Sequence, residues 1–341
     1  MIAAMRTARQ PMHFGDTPDG ARVDLVRLHN GGAAAALMTW GASLQDFRLD
    51  GLARSLVLGS PVFDPYPTRM RHYGAIAGPV ANRIGGGRFS IDGRSYDLEK
   101  NEKGTTTLHG AGTGTGIRNW RLDGYDGHRC AFVLRHANGE SGFPGNLDIR
   151  ALYSLGDDGA LRLDIDAVTD APTFCNLAHH SYWNLDGSVD LSAHRLSIAA
   201  ESYLPVDDRL LPLGDPEPVA GTRFDYRSEA PVLDVSGRLL DHNFCLGRDT
   251  VLKPACLLAA GGVRLAVSTT EPGLQVYDGT GIDTGAFAGH GGKPYRRHAG
   301  LAIEPQNWPD APNRPGYPPS LLRPGETYSQ TSVFHATRAS T

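Results

Sequence analysis

The stretch Asn176–Leu185 reads Asn-Leu-Ala-His-His-Ser-Tyr-Trp-Asn-Leu and gathers histidine, serine, tyrosine, tryptophan and asparagine at one place in mid-chain. Histidine titrates near neutral pH and can both give and take a proton. Tyrosine and asparagine bind hydroxyl groups, and a sugar-sized site needs aromatic and polar side chains together. Four more short stretches carry chemistry of the same kind: Ala81-Asn82-Arg83-Ile84, Leu108-His109-Gly110, Asp241-His242-Asn243-Phe244 and Ala302-Ile303-Glu304-Pro305-Gln306-Asn307-Trp308. Each alone has an ordinary structural explanation: Asp241 as a turn cap, Arg83 in a surface ion pair, Glu304 as a solvated strand end. Together they supply an acid, a base and hydroxyl-binding groups. Spacing alone does not bring them into one pocket.

Other chemistries lack their motifs. There is no G-x-x-x-x-G-K-[ST], no G-x-S-x-G and no H-E-x-x-H. Gly110–Gly116 fits G-x-G-x-x-G in no register and reads as a flexible loop, placed next to His109 where it could join the rim of a site. His179 and His180 are adjacent, and neighbours on a strand point to opposite faces, so they cannot chelate one metal. No metal site is expected.

The elements that must position these groups read as strands. Turn dipeptides such as Asn30-Gly31, Asp92-Gly93, Asn138-Gly139, Asp158-Gly159 and Asp278-Gly279 punctuate the chain, and such pairs tolerate the positive φ of tight hairpins. Between turns the apolar residues recur every second position, as Leu161, Leu163 and Ile165, or Val263, Leu265 and Val267. Phe89 and Ile91, then Tyr96 and Leu98, flank Asp92-Gly93 as a hairpin. No long segment shows a 3.6-residue period, so the chain is expected to be all-β. Asn176–Leu185 itself lacks Gly and Pro and reads as a regular strand. One of His179 and His180 then shares a face with Tyr182, and the other lies with Leu177 and Ser181. Pro305–Pro324 is proline-rich but flanked by apparent strands, and reads as a long ordered loop. A single domain over residues 1–341 is the simplest organisation.

Composition bounds the function. The chain has 341 residues, 21% charged, with a formal net charge of −4, which gives no electrostatic case for nucleic acid or an anionic membrane surface. Lysine occurs only at Lys100, Lys103, Lys253 and Lys293, and base composition explains the arginine bias without a functional cause. Cys130, Cys175, Cys245 and Cys256 have no paired spacing and suit a reducing compartment. Met1–Gly20 has no apolar core of a signal peptide, and no run is long enough to span a membrane. A cytoplasmic protein is expected.

The motifs, in order, resemble those of the aldose 1-epimerase (galactose mutarotase) family, from about Trp40-Gly41-Ala42 to about Pro324-Gly325-Glu326. Gly78–Gly93 resembles the family's Gly-x-x-Ala-Asn-Arg-Ile and following Asp-Gly hairpin, Leu108–Gly110 its Leu-His-Gly, and Gly142–Asn146 its Gly-Phe-Pro-Gly-Asn. His179–Leu185 resembles its Asn-His-Ser-Tyr-Phe-Asn-Leu. Asp241–Phe244, Gln275–Tyr277 and Glu304–Ala311 match its Asp-His-Asn-Phe, Gln-Val-Tyr and Glu-Pro-Gln-Asn-x-Pro-Asp-Ala. Two departures stand out: His179 replaces the usual Asn, and Trp183 the usual Phe.

The resemblance implies a large antiparallel β-sandwich of the galactose mutarotase-like supersandwich type, with the motif residues converging in an open cleft on one sheet. It implies interconversion of the α and β anomers of free aldoses by acid–base opening and reclosure of the ring, with the base and acid on opposite sides of the ring. Glu304 is then the base and His180 the acid. Asn82, Arg83, His109, Tyr182, Asp241 and Gln275 bind sugar hydroxyls. No metal or organic cofactor is called for, and the partner is a free aldose, with the protein a monomer or homodimer. Three other readings compete. A sugar-binding module without activity would have no use for His180 with Glu304. A glycoside hydrolase would need two carboxylates such as Asp241 and Glu304. A hexose 6-phosphate epimerase would need concentrated positive charge, for which Arg83 alone is thin support.

Overall fold

A computed structural model describes residues 10–233 and 237–338. The signal-peptide reading of Met1–Gly20 therefore lies partly outside the described residues. Among these, helix is confined to four single 3-10 turns, and no helix is long and apolar enough to cross a membrane. The rest is strand and loop, as the alternation predicts.

Two sheets dominate. The larger has nine strands, in the spatial order Arg121–Tyr125, Arg129–His136, Leu147–Leu155, Leu161–Thr169, Tyr328–Arg338, Val263–Thr269, Lys253–Ala260, Arg195–Ile198 and Ala230–Pro231, all paired antiparallel. The second has six, in the order Tyr182–Trp183, Leu301–Gln306, Gly273–Tyr277, Asp241–Cys245, Ser202–Tyr203 and Glu217–Pro218. A four-stranded meander of Met12–Asp16, Arg22–Asn30, Ala33–Met38 and Ser43–Leu49 flanks them.

The period-two pattern is realised strand by strand. Leu161, Leu163 and Ile165 are buried while Arg162 and Asp166 are exposed, and Val263, Leu265 and Val267 are buried between exposed Arg264 and Ala266. These inward side chains meet those of the six-stranded sheet in one apolar core. Leu163, Ile165, Leu265, Val267 and Phe334 from one side join Trp183, Phe244, Leu274, Val276, Leu301 and Ile303 from the other. Trp183 stacks on Phe334 with ring centroids 5.5 Å apart. Fully burying a Leu, Ile or Phe side chain contributes roughly 1.5–3 kcal/mol, so this face-to-face packing defines an antiparallel β-sandwich.

Asp92-Gly93 joins Arg88–Ile91 to Arg94–Asp97 as a two-residue hairpin loop, with φ of 51° and 80°. Both central residues at positive φ make it the mirror-image turn that suits strand twist. Pro305–Pro324 begins inside the strand Leu301–Gln306, then runs as loop with one 3-10 turn at Ala311–Asn313 to a short strand at Leu321–Leu322.

Two expectations need correction. Asn176–Leu185 is not one regular strand. Ala178–His179 pairs with Ile76–Ala77, and Tyr182–Trp183 then pairs with Leu301–Ala302. The chain changes partner between the two pairs, and His180 and Ser181 form the break. Gly110–Gly116 is no flexible loop either. It forms two 3-10 turns, Ala111–Thr113 and Thr115–Ile117. Thr115 anchors it, donating its hydroxyl to the Ile76 carbonyl at 2.7 Å and accepting the Trp120 indole N–H on its own carbonyl at 2.9 Å.

Candidate active site

One face of the six-stranded sheet carries polar side chains in register. Tyr182 lies opposite Ala302, Ala302 opposite Tyr277, and Tyr277 opposite Asp241. Two residues along, Glu304 lies opposite Gln275, and Gln275 opposite Asn243. Cross-strand partners and residues two apart share a face. The intervening Leu301, Ile303, Val276, Leu274 and Phe244 point into the sandwich core. Alternation thus puts Glu304, Tyr182 and Asp241 on the same wall despite their distance in sequence.

His180 is delivered by the break in its own segment. Its N–H donates to the Ala75 carbonyl at 2.8 Å, and its carbonyl accepts the Gly74 N–H at 2.9 Å. The turn at residues 72–75 therefore clamps the His180 backbone from both sides. Gly74 has φ of 72°, and a Cβ there would stand 2.1 Å from the Leu44 carbonyl oxygen, so only glycine fits the clamp. The alternation expected around His180 holds. Its ring lies 5.1 Å from that of Tyr182, whereas His179 turns into the core. There His179 contacts the Ser181 hydroxyl at 2.7 Å and the Tyr153 hydroxyl at 3.2 Å.

Asn82, Arg83 and His109 come from a second pair of strands. Arg83–Gly85 pairs with Thr106–Leu108, so the residues that precede one and follow the other meet. The Asn82 N–H donates to His109 Nδ1 at 3.2 Å, and the His109 N–H donates to the Asn82 carbonyl at 3.0 Å. Because Nδ1 accepts, the proton of the neutral His109 ring sits on Nε2, which becomes a donor.

These groups line a cavity of about 390 Å³ whose wall contains Asn82, Arg83, His109, His180, Tyr182, Asp241 and Glu304. Gln275 is the exception among the expected residues. It shares the face but is absent from the cavity wall, and its Nε2 donates to Asp241 Oδ1 at 2.5 Å. It holds the aspartate from beneath. A larger cavity, about 570 Å³, lies on the outside of the nine-stranded sheet around Val133, Leu134 and Val168. Its charged lining includes the exposed Arg135–Asp148 pair. It brings together no buried acid and base, whereas the smaller one does.

Glu304 and His180 approach each other closely within this cavity. Glu304 Oε1 stands 3.5 Å from His180 Nε2, and Oε2 is buried without a hydrogen-bond partner. Burial pushes the Glu304 carboxyl well above the usual carboxylate range, with the Asp241 carboxylate adding to the rise and Arg83 opposing it. Burial also pulls the His180 imidazole down to about 4. Asp241 is raised by burial too, and Arg83 offsets this from 3.7 Å. Arg83 is itself held by a bidentate pair with Glu102, both bonds 2.8 Å long.

Sequence reasoning missed several wall residues: Arg71, His72, Leu210, Leu239, Tyr277 and Thr280. His72, in the turn that clamps His180, is a lone histidine in an aperiodic stretch, and only the fold reveals its place.

His109, His180 and Glu304 each offer a ligand atom, all within 4.8 Å of one another. Two ligands at ~2.1 Å from a shared zinc would lie within ~4.2 Å. His109 would moreover have to give up the Nε2 proton that its bond from Asn82 fixes there. The set suits donors and acceptors for hydroxyls better than a metal.

The aldose 1-epimerase family model matches residues 24–335. With the sandwich and its polar cleft, this places the chain in a class of carbohydrate epimerases. The chain belongs to the aldose 1-epimerase family. It is 37% identical to the galactose mutarotase of Mus musculus over 98% of both chains. It is 35% identical to the aldose 1-epimerase of Escherichia coli K12, covering 93% of this chain and 96% of that one. The crystal structure of a GalM/aldose epimerase homologue from C. elegans superposes with a TM-score of 0.87 at 29% identity, covering 93% of this chain and all of that one. That of galactose 1-epimerase from Lactobacillus acidophilus gives 0.83 at 26%, covering 98% of this chain and all of the other.

Proposed function

We propose that the protein is a mutarotase that interconverts the anomers of free aldoses, with Glu304 as base and His180 as acid. The observation that carries the reading is the 3.5 Å approach of Glu304 Oε1 to His180 Nε2 within a buried cavity lined by hydroxyl-binding groups. The spacing is tighter than two groups facing each other across a sugar ring. It suits the reacting atoms, because the C1 hydroxyl oxygen and the ring oxygen are both bonded to C1.

Glu304 takes the proton from the C1 hydroxyl, the O–H electrons form the carbonyl, and the C1–ring-oxygen bond breaks. The departing ring oxygen takes the proton of His180 Nε2. At the open-chain stage Glu304 is protonated and His180 neutral, the two forms that burial favours. Rotation about C1–C2 presents the other carbonyl face. Closure runs the transfers backwards and restores the pair. Asp241, Asn82, His109 and Tyr182 are the hydroxyl-binding groups of this reading, and Gln275 acts on sugar through Asp241.

Arg83 is engaged by both Glu102 and Asp241, so a hexose 6-phosphate reading would have to rest on Arg71, the other cation on this wall. Buried free thiols at Cys130, Cys175, Cys245 and Cys256 support a cytoplasmic location. The test is polarimetry on freshly dissolved α-D-glucose, α-D-galactose and L-arabinose. A faster approach to the same final rotation, unchanged by chelator, is the expected result. No acceleration with any of them, despite binding in calorimetry, would leave a sugar-binding module.

A further inference from the structure

The acid–base scheme leaves the imidazole of His72 on the cavity wall without a task. His72 lines the same cavity as His180 and Glu304. Its ring centroid is 4.9 Å from that of His109 and 6.2 Å from that of His180. The three imidazoles form a cluster in which His109 is oriented by Asn82 and His180 faces Glu304.

Two features make a purely structural role hard to sustain. First, His72 has φ of 68°, the left-handed region that a side-chain-bearing residue enters at a cost. Asn82, His109 and Leu210, also on the cavity wall, have φ of 60°, 50° and 61°. Strained backbone gathers around this cavity, as it does at functional sites. Second, Nδ1 of His72 is buried with no hydrogen-bond partner. It lies so close to Gly116 that a Cβ there would stand 2.7 Å away. A phenyl ring would fill this position without hiding a polar atom. Nε2, by contrast, is not among the buried atoms without partners, and His72 is one of the residues that line the cavity. Burial, reinforced by His180 and Arg71, holds the ring neutral, with its pKa near 3. A neutral imidazole with one nitrogen shut away has a single nitrogen left for a ligand.

We infer that His72 is a substrate-binding residue of this site, its Nε2 hydrogen-bonding a hydroxyl of the bound aldose and so helping to decide which aldoses are accepted. The inference rests on the mutarotase reading. The contact is to the ground state and the transition state alike, so it governs KM more than kcat.

The test compares His72→Phe, His72→Asn and His72→Gln in the full-length protein, by polarimetry over D-galactose, D-glucose, D-xylose and L-arabinose and by calorimetric sugar binding. His72→Phe keeps the ring and removes the nitrogens. It should raise KM about tenfold for at least one hexose, with kcat changed less than about threefold. His72→Asn tolerates the left-handed backbone but is too short to reach, and should show the same loss. His72→Gln restores reach and an amide, and should recover most of the affinity. If Phe misfolds, the Asn–Gln contrast carries the test. Parent-like KM and sugar preference in the folded Phe or Asn variant would overturn the inference while leaving the mutarotase reading intact. A parent protein inactive on every free aldose would instead sink that reading, and calorimetry alone would then decide whether His72 contacts sugar.

Discussion

Gln275 and Glu304 face each other across neighbouring antiparallel strands, and the amide of Gln275 reaches sideways to Asp241 rather than to Glu304. One strand thereby separates two carboxyl groups, of which Asp241 raises the proton affinity of Glu304. It fixes Asp241 by a hydrogen bond and leaves Glu304 Oε2 unengaged for a hydroxyl proton. In the proposed mechanism that arrangement corresponds to a division of labour in which Asp241 binds and Glu304 reacts.

Removing either partner of the reactive pair should abolish most of the acceleration without unfolding the protein. General acid–base groups contribute typically about 10²–10⁴-fold. Glu304→Gln and His180→Asn should each lose at least about 100-fold in kcat while circular dichroism and melting temperature stay near the parent's. Near-parental turnover in either variant would reject that residue's role.

The pH profile follows from the directions of the shifts. At low pH both groups are protonated and no base exists. Deprotonation of His180, near pH 4, leaves the single shared proton that the cycle needs. Loss of the second proton, from Glu304, removes the acid at a pH well above the usual carboxylate range. The enzyme-dependent part of kcat/KM should therefore rise along an acid limb near 4 and fall again only well above the usual carboxylate range. An acid limb near 6.5, the value of an ordinary histidine, would show that burial is not setting the titration.

Asp241→Ala should act on binding. It removes a hydroxyl acceptor and leaves Arg83 with only Glu102, and an unmatched buried polar partner costs about 1–3 kcal/mol, so KM should rise roughly 5–150-fold. Gln275→Leu should shift KM in the same direction by less, since it acts through Asp241. Saturation curves by polarimetry check both. A Gln275→Leu effect exceeding that of Asp241→Ala would mean that Gln275 touches the sugar itself.

Away from the site, Glu271 is buried, and that burial pushes its carboxyl up to about 8. The unfolded chain ionises it near 4.3, so the folded state binds the extra proton between the two values. Stability should accordingly fall as pH rises through that window. Glu271→Gln removes the effect. Chemical denaturation should find the variant more stable than the parent by about 1–3 kcal/mol at pH 8.5, with the two converging near pH 4. Equal stability at both pH values would contradict the assignment.

Much of this was legible in the chain because the physics is local. Alternation at Leu161–Ile165 and Val263–Val267 fixed strand faces, and Asp92-Gly93 specified its turn. The opposition of His179 and His180 followed from strand geometry even though their segment breaks between partners. What stayed hidden depends on tertiary pairing. The clamp that Gly74 and Ala75 place on His180 joins segments far apart in sequence. The burial of Gln275 beneath Asp241 depends on which strands become neighbours, and His72 sits in a stretch with no periodic signal at all.

The in-register rows of the cleft have a consequence for how such a gene can change in length. Deleting or inserting one codon within the segment encoding Leu301–Gln306 would rotate Glu304 toward Trp183 and Phe334 and bring an apolar neighbour into the cleft. Chemistry and core would fail together. Length variation is therefore tolerable in the long connections that join these strands and intolerable inside them, so a library built by random insertion should recover active clones only where those connections were hit.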